Sequence, residues 1–421
     1  MKKILILTVT AGNAHNACAM SMKRELEESA EVKVVDLLKC FSTKRNVWIA
    51  DGGYNFAVSR LPKVYNAFYN RYRKRKPFRR YSCPPQKTIL SVLDGLLQEI
   101  LSFRPDVIYC THFYGAIALT DLNLAYPLPC KTVVSTLDYV NSPFWEAGIG
   151  VDHIVIPNED FTDTYRVLGY SERQLLPFGI PVDGRTLKTE DKKTVRRELG
   201  LNEETFTATV MFGGGHWRGG YRIFTQLEKS LKGRSAQIVM INGRDEKSFR
   251  RIAKRKAERG IGVLNVGYTD QVPRYLSAAD VVINKCGGGS STEIINKAVP
   301  MLVTEKLAAQ EKYNLEYLKN KGVALSFRNK KELKKNVLRL IDDPALLERM
   351  SENTLPLRKN ATGGLADFIL SQPTADYSDF LELTLIGGID LRAKKWVRKA
   401  LKEADKKERT ARKRARRTNK F

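Results

Sequence analysis

The chain reads as an α/β protein of two doubly wound domains, and three observations lead to that reading. Its 421 residues exceed what one hydrophobic core ordinarily serves and suit two domains of roughly 150 to 200 residues each. It opens on an apolar strand, a helix and a second strand, which is the start of a parallel βαβ unit. After a polar, charge-rich stretch at 183–204 the same alternation begins again.

Taken in order, residues 3–8 (KILILT) are the first strand, 14–28 a helix and 31–38 (EVKVVDLL) the second strand. Further strands are expected at 106–112 (DVIYCTH), 132–137 (TVVSTL), 154–157 and 175–177, with helices at 86–103 and 160–168. The second set of strands falls at 207–212 (TATVMF), 237–242 (QIVMIN), 262–266 (GVLNV), 280–284 (DVVIN) and 301–304. Helices at 310–321, 331–341 and 344–353 complete it, and 362–371 is expected to pack back on the first domain. The resulting division is 1–182, a linker at 183–205, a second domain at 206–360, the returning helix at 361–372 and a basic tail at 373–421.

The net charge of +26 is concentrated in two places. Residues 60–80 hold nine Lys or Arg and no acid, and 392–421 hold fifteen basic against three acidic residues, so these stretches supply 21 of the 26 charges. An ordinary globular body with two cationic appendages points to an anionic surface, either membrane headgroups or nucleic acid. The six cysteines lack paired spacing and several sit in apolar strand-like runs, which reads as reduced, buried thiols of a cytosolic protein. No apolar run approaches the roughly 20 residues that span a bilayer, so membrane contact is expected to be peripheral.

Four features carry chemistry. Gly287, Gly288 and Gly289 follow the strand at 280–284 and let the backbone turn tightly and approach a ligand. Ser290, Ser291 and Thr292 then suit the cap of a helix beginning near Thr292, whose free N–H groups and dipole favour an anion; a plain tight connection is the alternative. Gly213, Gly214 and Gly215 end the first strand of the second domain, followed by His216 and Trp217. His15 lies just past the carboxyl end of the first strand, where open α/β sheets place ligands, and suits a general base; a cap or packing role is the alternative. Tyr65, Phe68, Tyr69 and Tyr72 fall at i, i+3, i+4 and i+7 on one helical face beside Arg73, Lys74, Arg75, Lys76, Arg79 and Arg80. That is an interfacial membrane-binding pattern, with a core-packed helix or a nucleic-acid surface as alternatives. No Asp-x-Asp and no zinc-type Cys/His spacing occurs, so neither a metal nor another cofactor is expected.

Five ordered motifs resemble one family. The loop 10–19 (TAGNAHNACA) resembles the Gly-x-Gly-His loop of processive diacylglycerol glycosyltransferases and plant monogalactosyldiacylglycerol synthases, with Ala14 standing where that family usually has Gly. FGGG at 212–215, VGY at 266–268, CGGGSSTEI at 286–294 and AAQEKYN at 308–314 follow the order of its donor-binding domain. THFYG at 111–115, STLD at 135–138 and PFGIPV at 177–182 extend the likeness, which covers about residues 1–372. A more distant relative is the lipid-linked muramyl N-acetylglucosaminyltransferase. The resemblance implies a GT-B fold and metal-independent, inverting transfer of a hexose from a UDP-sugar to diacylglycerol or its monoglycosylated product. It implies His15 as base, with Gly12, Asn13 and His112 on the acceptor side. Glu293 would hold the ribose hydroxyls, Gln310 and Glu311 the sugar hydroxyls, and the backbone near Tyr268 the uracil edge, with the two glycine runs on the phosphates. Transfer of N-acetylglucosamine to another lipid-linked acceptor, and a non-catalytic sugar-nucleotide or membrane-binding protein, are the alternatives. Location on the cytoplasmic face of a membrane is expected.

Overall fold

The computed structural model describes residues 1–10, 13–53, 61–73, 86–125, 127–212, 219–255, 260–307 and 309–386, with isolated positions 397, 399, 401 and 403. Two parallel six-stranded sheets form. The first joins β1 (Lys2–Thr8), β2 (Ala30–Asp36), β3 (Val107–Cys110), β4 (Lys131–Ser135), β5 (His153–Val155) and β6 (Leu175–Leu176) in the order β2-β1-β3-β4-β5-β6. The second joins β7 (Phe206–Met211), β8 (Ala236–Ile241), β9 (Ile261–Val266), β10 (Val281–Asn284), β11 (Met301–Thr304) and β12 (Ala324–Phe327) in the order β12-β11-β10-β7-β8-β9. Both are covered by helices, which is why Ile4–Leu7 and Val281–Ile283 are apolar without alternation and wholly buried.

The strand orders locate the site. Strand order reverses between β1 and β3 in one sheet and between β7 and β10 in the other. Ligands of open α/β sheets bind in the crevice outside the carboxyl ends of strands at such points. His15, His112 and the turn Cys286–Gly289 all follow those strand ends.

Several expectations are corrected. The helix expected at 86–103 breaks into Gln86–Ile89 and Leu93–Phe103, because the Ser91 carbonyl accepts the Ser42 N–H instead of continuing the helical ladder. Helix Phe113–Ala125 went unread because it is apolar nearly all round, with Gly115–Leu122 buried, and so shows no amphipathic period. Strand β12 is a short edge strand whose middle residues are half-exposed, which left little apolar signal. The stretch 183–205 is ordered rather than a bare linker: it contains helix Lys192–Glu198, and the buried Arg196 reaches Asp280 Oδ2 at 2.6 Å and the Ala278 carbonyl at 2.9 Å.

Helix Ala361–Ser371 returns to the first sheet. Thr362 Oγ1 accepts from Val182 N at 3.1 Å and donates to Val182 O at 2.5 Å, and Phe368 stands edge-on to His153 at 4.9 Å. Further on, Tyr377 donates to the Pro105 carbonyl at 2.8 Å. Cys18, Cys40, Cys110, Cys130 and Cys286 are free and buried, and Cys83 lies outside the described residues. Among the described residues no helix is long and apolar enough to cross a membrane.

Candidate functional site

On the first domain's side of the cleft, His15 stands near the start of helix Asn13–Leu26, half-buried, with its ring against the end of β3. Its Nδ1 lies 2.5 Å from the Thr111 carbonyl, which only a protonated Nδ1 can satisfy. Nε2 is thereby left with its lone pair. Burial lowers His15 to about 4, against the opposing pull of that hydrogen bond. His112 sits edge-on to it with ring centroids 4.5 Å apart. The Tyr114 N–H donates to His112 Nδ1 at 3.0 Å, so His112 carries its proton on Nε2, and burial followed by the neighbouring His15 holds it well below its ordinary range. Two neutral imidazoles result, and His112 packs in turn on Phe113 and Tyr114. Gly12 and the side chain of Asn13 lie outside the described residues.

On the second domain's side, the glycine turn works differently from the sequence expectation. Helix Gly288–Asn296 begins at Gly288, four residues ahead of Thr292, and its hydroxyls do not cap it. Ser290 Oγ donates back to the Gly287 carbonyl at 3.1 Å, Thr292 Oγ1 to the Gly288 carbonyl at 2.9 Å, and Ser291 Oγ lies 3.8 Å from Cys286 Sγ. The left-handed residue of the turn is Cys286, with φ of 60°, and not a glycine. Gly288 is required for another reason: a Cβ there would lie 1.9 Å from the Leu137 carbonyl oxygen of the first domain.

The cap comes from across the cleft. Asp138 accepts the Gly288 N–H and the Asn314 side-chain amide, the latter at 2.7 Å, while the same Asn314 nitrogen donates to the Cys286 carbonyl at 3.0 Å. Tyr139, next in line, shares a 2.8 Å hydrogen bond with Thr292 and stacks on Tyr317 at 5.3 Å. The segment after β4 is thus wedged between two helices of the second domain. STLD carried this signal only as a motif; Asn314 lies four residues after Gln310, on its helical face, and went unnamed.

Burial raises Asp138 to about 6, the Asn314 hydrogen bond opposing and Glu311 adding to the shift. The native protein therefore holds a proton that the unfolded chain releases from its ordinary 3.8 upward. Stability contributed by this group is present below about 4 and lost as pH rises through about 6. Asp138→Asn, which keeps an acceptor oxygen for Asn314 but cannot titrate, is expected to flatten the pH dependence of the unfolding midpoint between pH 4 and 6 relative to the parent. Parallel curves for the two proteins would contradict this assignment.

Glu293 sits beyond the first turn of helix Gly288–Asn296, half-buried, its carboxyl without a hydrogen-bond partner among the described residues. With Gly287 at the N-cap the capping-box position is Ser290, so Glu293 is not a capping acid. Burial, then the charge of Asp183, raises it to about 7. Tyr268 is 73% exposed beyond β9, with the Arg244 guanidinium 5.6 Å from its ring. On helix Ala309–Asn320, Glu311 pairs with Lys285 at 3.0 Å and Gln310 Oε1 accepts from Tyr65 at 3.3 Å. Gly213, Gly214, Gly215, His216 and Trp217 lie outside the described residues.

The aromatic helix is also corrected. Helix Pro62–Arg73 does not turn Tyr65 and Tyr69 to a membrane; Tyr69 is 2% exposed, and both face helix Ala309–Asn320. Among the described residues, the large apolar side chains turned outward here are Leu61 at 45% and Val64 at 63% exposure. The side chains of Phe68, Tyr72 and Arg73, and all of Lys74, Arg75, Lys76, Arg79 and Arg80, lie outside the described residues.

Comparison with known proteins agrees with this two-sided cleft. Residues 13–182 match the monogalactosyldiacylglycerol (MGDG) synthase family and residues 221–364 the glycosyltransferase family 28 C-terminal domain. The fold is similar to that of MurG from Acinetobacter baumannii, with a TM-score of 0.58 at 11% identity over 88% of this chain and 99% of that one. The chain is a GT-B glycosyltransferase. This glycosyltransferase is 24% identical over 382 residues to monogalactosyldiacylglycerol synthase 1 of Arabidopsis thaliana, covering 85% of this chain and 68% of the relative. It is 24% identical over 363 residues to the processive diacylglycerol beta-glucosyltransferase of Staphylococcus saprophyticus, covering 84% and 88%.

Proposed function

We propose that this glycosyltransferase moves a hexose from a UDP-hexose to a hydroxyl of diacylglycerol at a membrane surface, with inversion at the anomeric carbon. The observation that carries the reading is the His15 imidazole: neutral, pinned through Nδ1 to the Thr111 carbonyl, with Nε2 unprotonated. The acceptor oxygen attacks the anomeric carbon as Nε2 takes its proton, and the bond from that carbon to the diphosphate breaks with its electron pair leaving on UDP. The names of the relatives supply the acceptor class.

On the donor side, Glu293 takes the ribose hydroxyls with a carboxylate not engaged by the described residues. At the start of helix Gly288–Asn296, whose Gly288 N–H is taken by Asp138, the next N–H groups, of Gly289 and Ser290, and the helix dipole face the diphosphate. Tyr268 borders the uracil, and Gln310 with Glu311 meets the hexose. Leu61 and Val64 offer a small apolar edge to the bilayer, beside the basic run of 74–80 in the sequence.

The test is transfer from UDP-glucose or UDP-galactose to diacylglycerol in anionic liposomes, with the product's anomeric configuration read by NMR. A β-linked hexosyldiacylglycerol is expected; no lipid product from either donor would overturn the proposal. In the same assay Glu293→Ala is expected to raise the donor KM about 10- to 100-fold, the worth of two hydrogen bonds to the ribose hydroxyls, with little change in the lipid KM.

A further inference from the structure

Resting on that reading, we propose that Tyr65 is a positioning residue for donor-sugar recognition, supplied by the acceptor domain. Helix Pro62–Arg73 belongs to the first domain in sequence yet lies along helix Ala309–Asn320 of the second. Three contacts join them. The Tyr65 hydroxyl donates to Gln310 Oε1 at 3.3 Å, the Tyr313 hydroxyl donates to Asn70 Oδ1 at 3.1 Å, and the Tyr69 and Tyr313 rings lie 6.4 Å apart. Tyr65 and Tyr69, four residues apart, share one face of their helix with Asn70 on its flank, and Gln310 and Tyr313, three residues apart, share one face of theirs.

The consequence is chemical. A primary amide whose oxygen is held by a phenol has its two N–H donors turned to the other side of the group, so a sugar hydroxyl there is met by donors only. Glu311 beside it is held by Lys285 and presents only acceptors. Donors on one residue and acceptors on the next distinguish sugars by the direction of a hydroxyl, and recognition that depends on buried polar pairing discriminates more strongly than apolar fit. Tyr65 holds one half of that pattern. Because it comes from the other domain, the donor sugar is read correctly only while the two domains are together.

Tyr65→Phe keeps the ring that packs on Tyr69, at 6.2 Å, and removes only the hydroxyl. With the full-length protein and diacylglycerol liposomes, kcat and KM are measured for UDP-glucose and UDP-galactose separately. The expected result is a rise of about three- to tenfold in KM for the preferred donor, in keeping with one lost hydrogen bond, and a smaller preference between the two hexoses, with the lipid KM unchanged. Asn70→Ala, which removes the acceptor of the Tyr313 hydroxyl, is expected to move the same ratio in the same direction. Equal loss for both donors marks a merely structural role and overturns the proposal, as does an unchanged donor ratio. A parent protein inactive with both donors removes the functional reading and this proposal with it, whereas an active parent matched by its variants removes this proposal alone.

Discussion

His15→Ala is expected to lower kcat for lipid glycosylation by about a hundred- to ten-thousand-fold, the usual worth of a positioned general base, while the donor KM changes little. The expectation follows from the ring's two nitrogens having different tasks: Nδ1 holds the Thr111 carbonyl and Nε2 is the base. Its pH dependence separates this from a simple packing role. Burial lowers His15 from 6.5 to about 4, so the base is fully neutral at pH 6 and the acid limb of kcat, measured at saturating donor where the protonation of Glu293 no longer limits binding, is expected near 4. The unfolded chain binds the proton first, so this group's contribution to stability is complete above about 6.5 and is lost as pH falls toward 4. A rate profile with its acid limb at 6.5, or an alanine variant of near-normal rate, would remove His15 from the chemistry.

Gly288→Ala is expected to do the most structural damage of any single methyl added to the described cleft. The new Cβ would lie 1.9 Å from the Leu137 carbonyl oxygen, 2.8 Å from its carbon and 2.9 Å from Asp138 Cα. These are backbone atoms, which cannot rotate aside, so relief requires the segment after β4 to move away from helix Gly288–Asn296. Overpacking of this kind costs about 1–3 kcal/mol, and here it also breaks the Asp138 cap and the Tyr139–Thr292 bond. The expected readouts are an unfolding midpoint lower by several degrees and a fall in transfer with either hexose. Gly289→Ala is the control, since nothing lies within 4 Å of a Cβ there, and it is expected to keep the parent midpoint. If the two alanine variants unfold together, the domain contact at Gly288 does not hold in solution.

Much of this site was legible before any coordinates. His15 and Glu293 were singled out from position relative to strand ends and from ordered motifs, and the structure sets His15 after β1 and the helix of Glu293 after β10, where the two sheets reverse order, whereas Gln310 and Glu311, singled out from a motif, follow β11. What was missed shares one cause. Asp138, Asn314 and the Tyr65–Gln310 contact are pairs separated by 176 and 245 residues, and nothing local marks them. The aromatic stripe of helix Pro62–Arg73 shows the same limit: its period told correctly that one face is apolar, but not that the face is covered by protein.

By itself the sequence determined the two sheets, the helices with a clear apolar stripe and the presence of a glycine turn, because strand, helix and turn preferences act over a few residues. Only the tertiary structure decided what the turn is for. Cys286 takes the left-handed conformation, Gly288 makes room for another domain's backbone, and Asp138 caps the helix that the nearby hydroxyls were expected to cap. Each of these depends on how closely two separately folded sheets approach, a distance set by packing across the cleft rather than by the residues beside the turn.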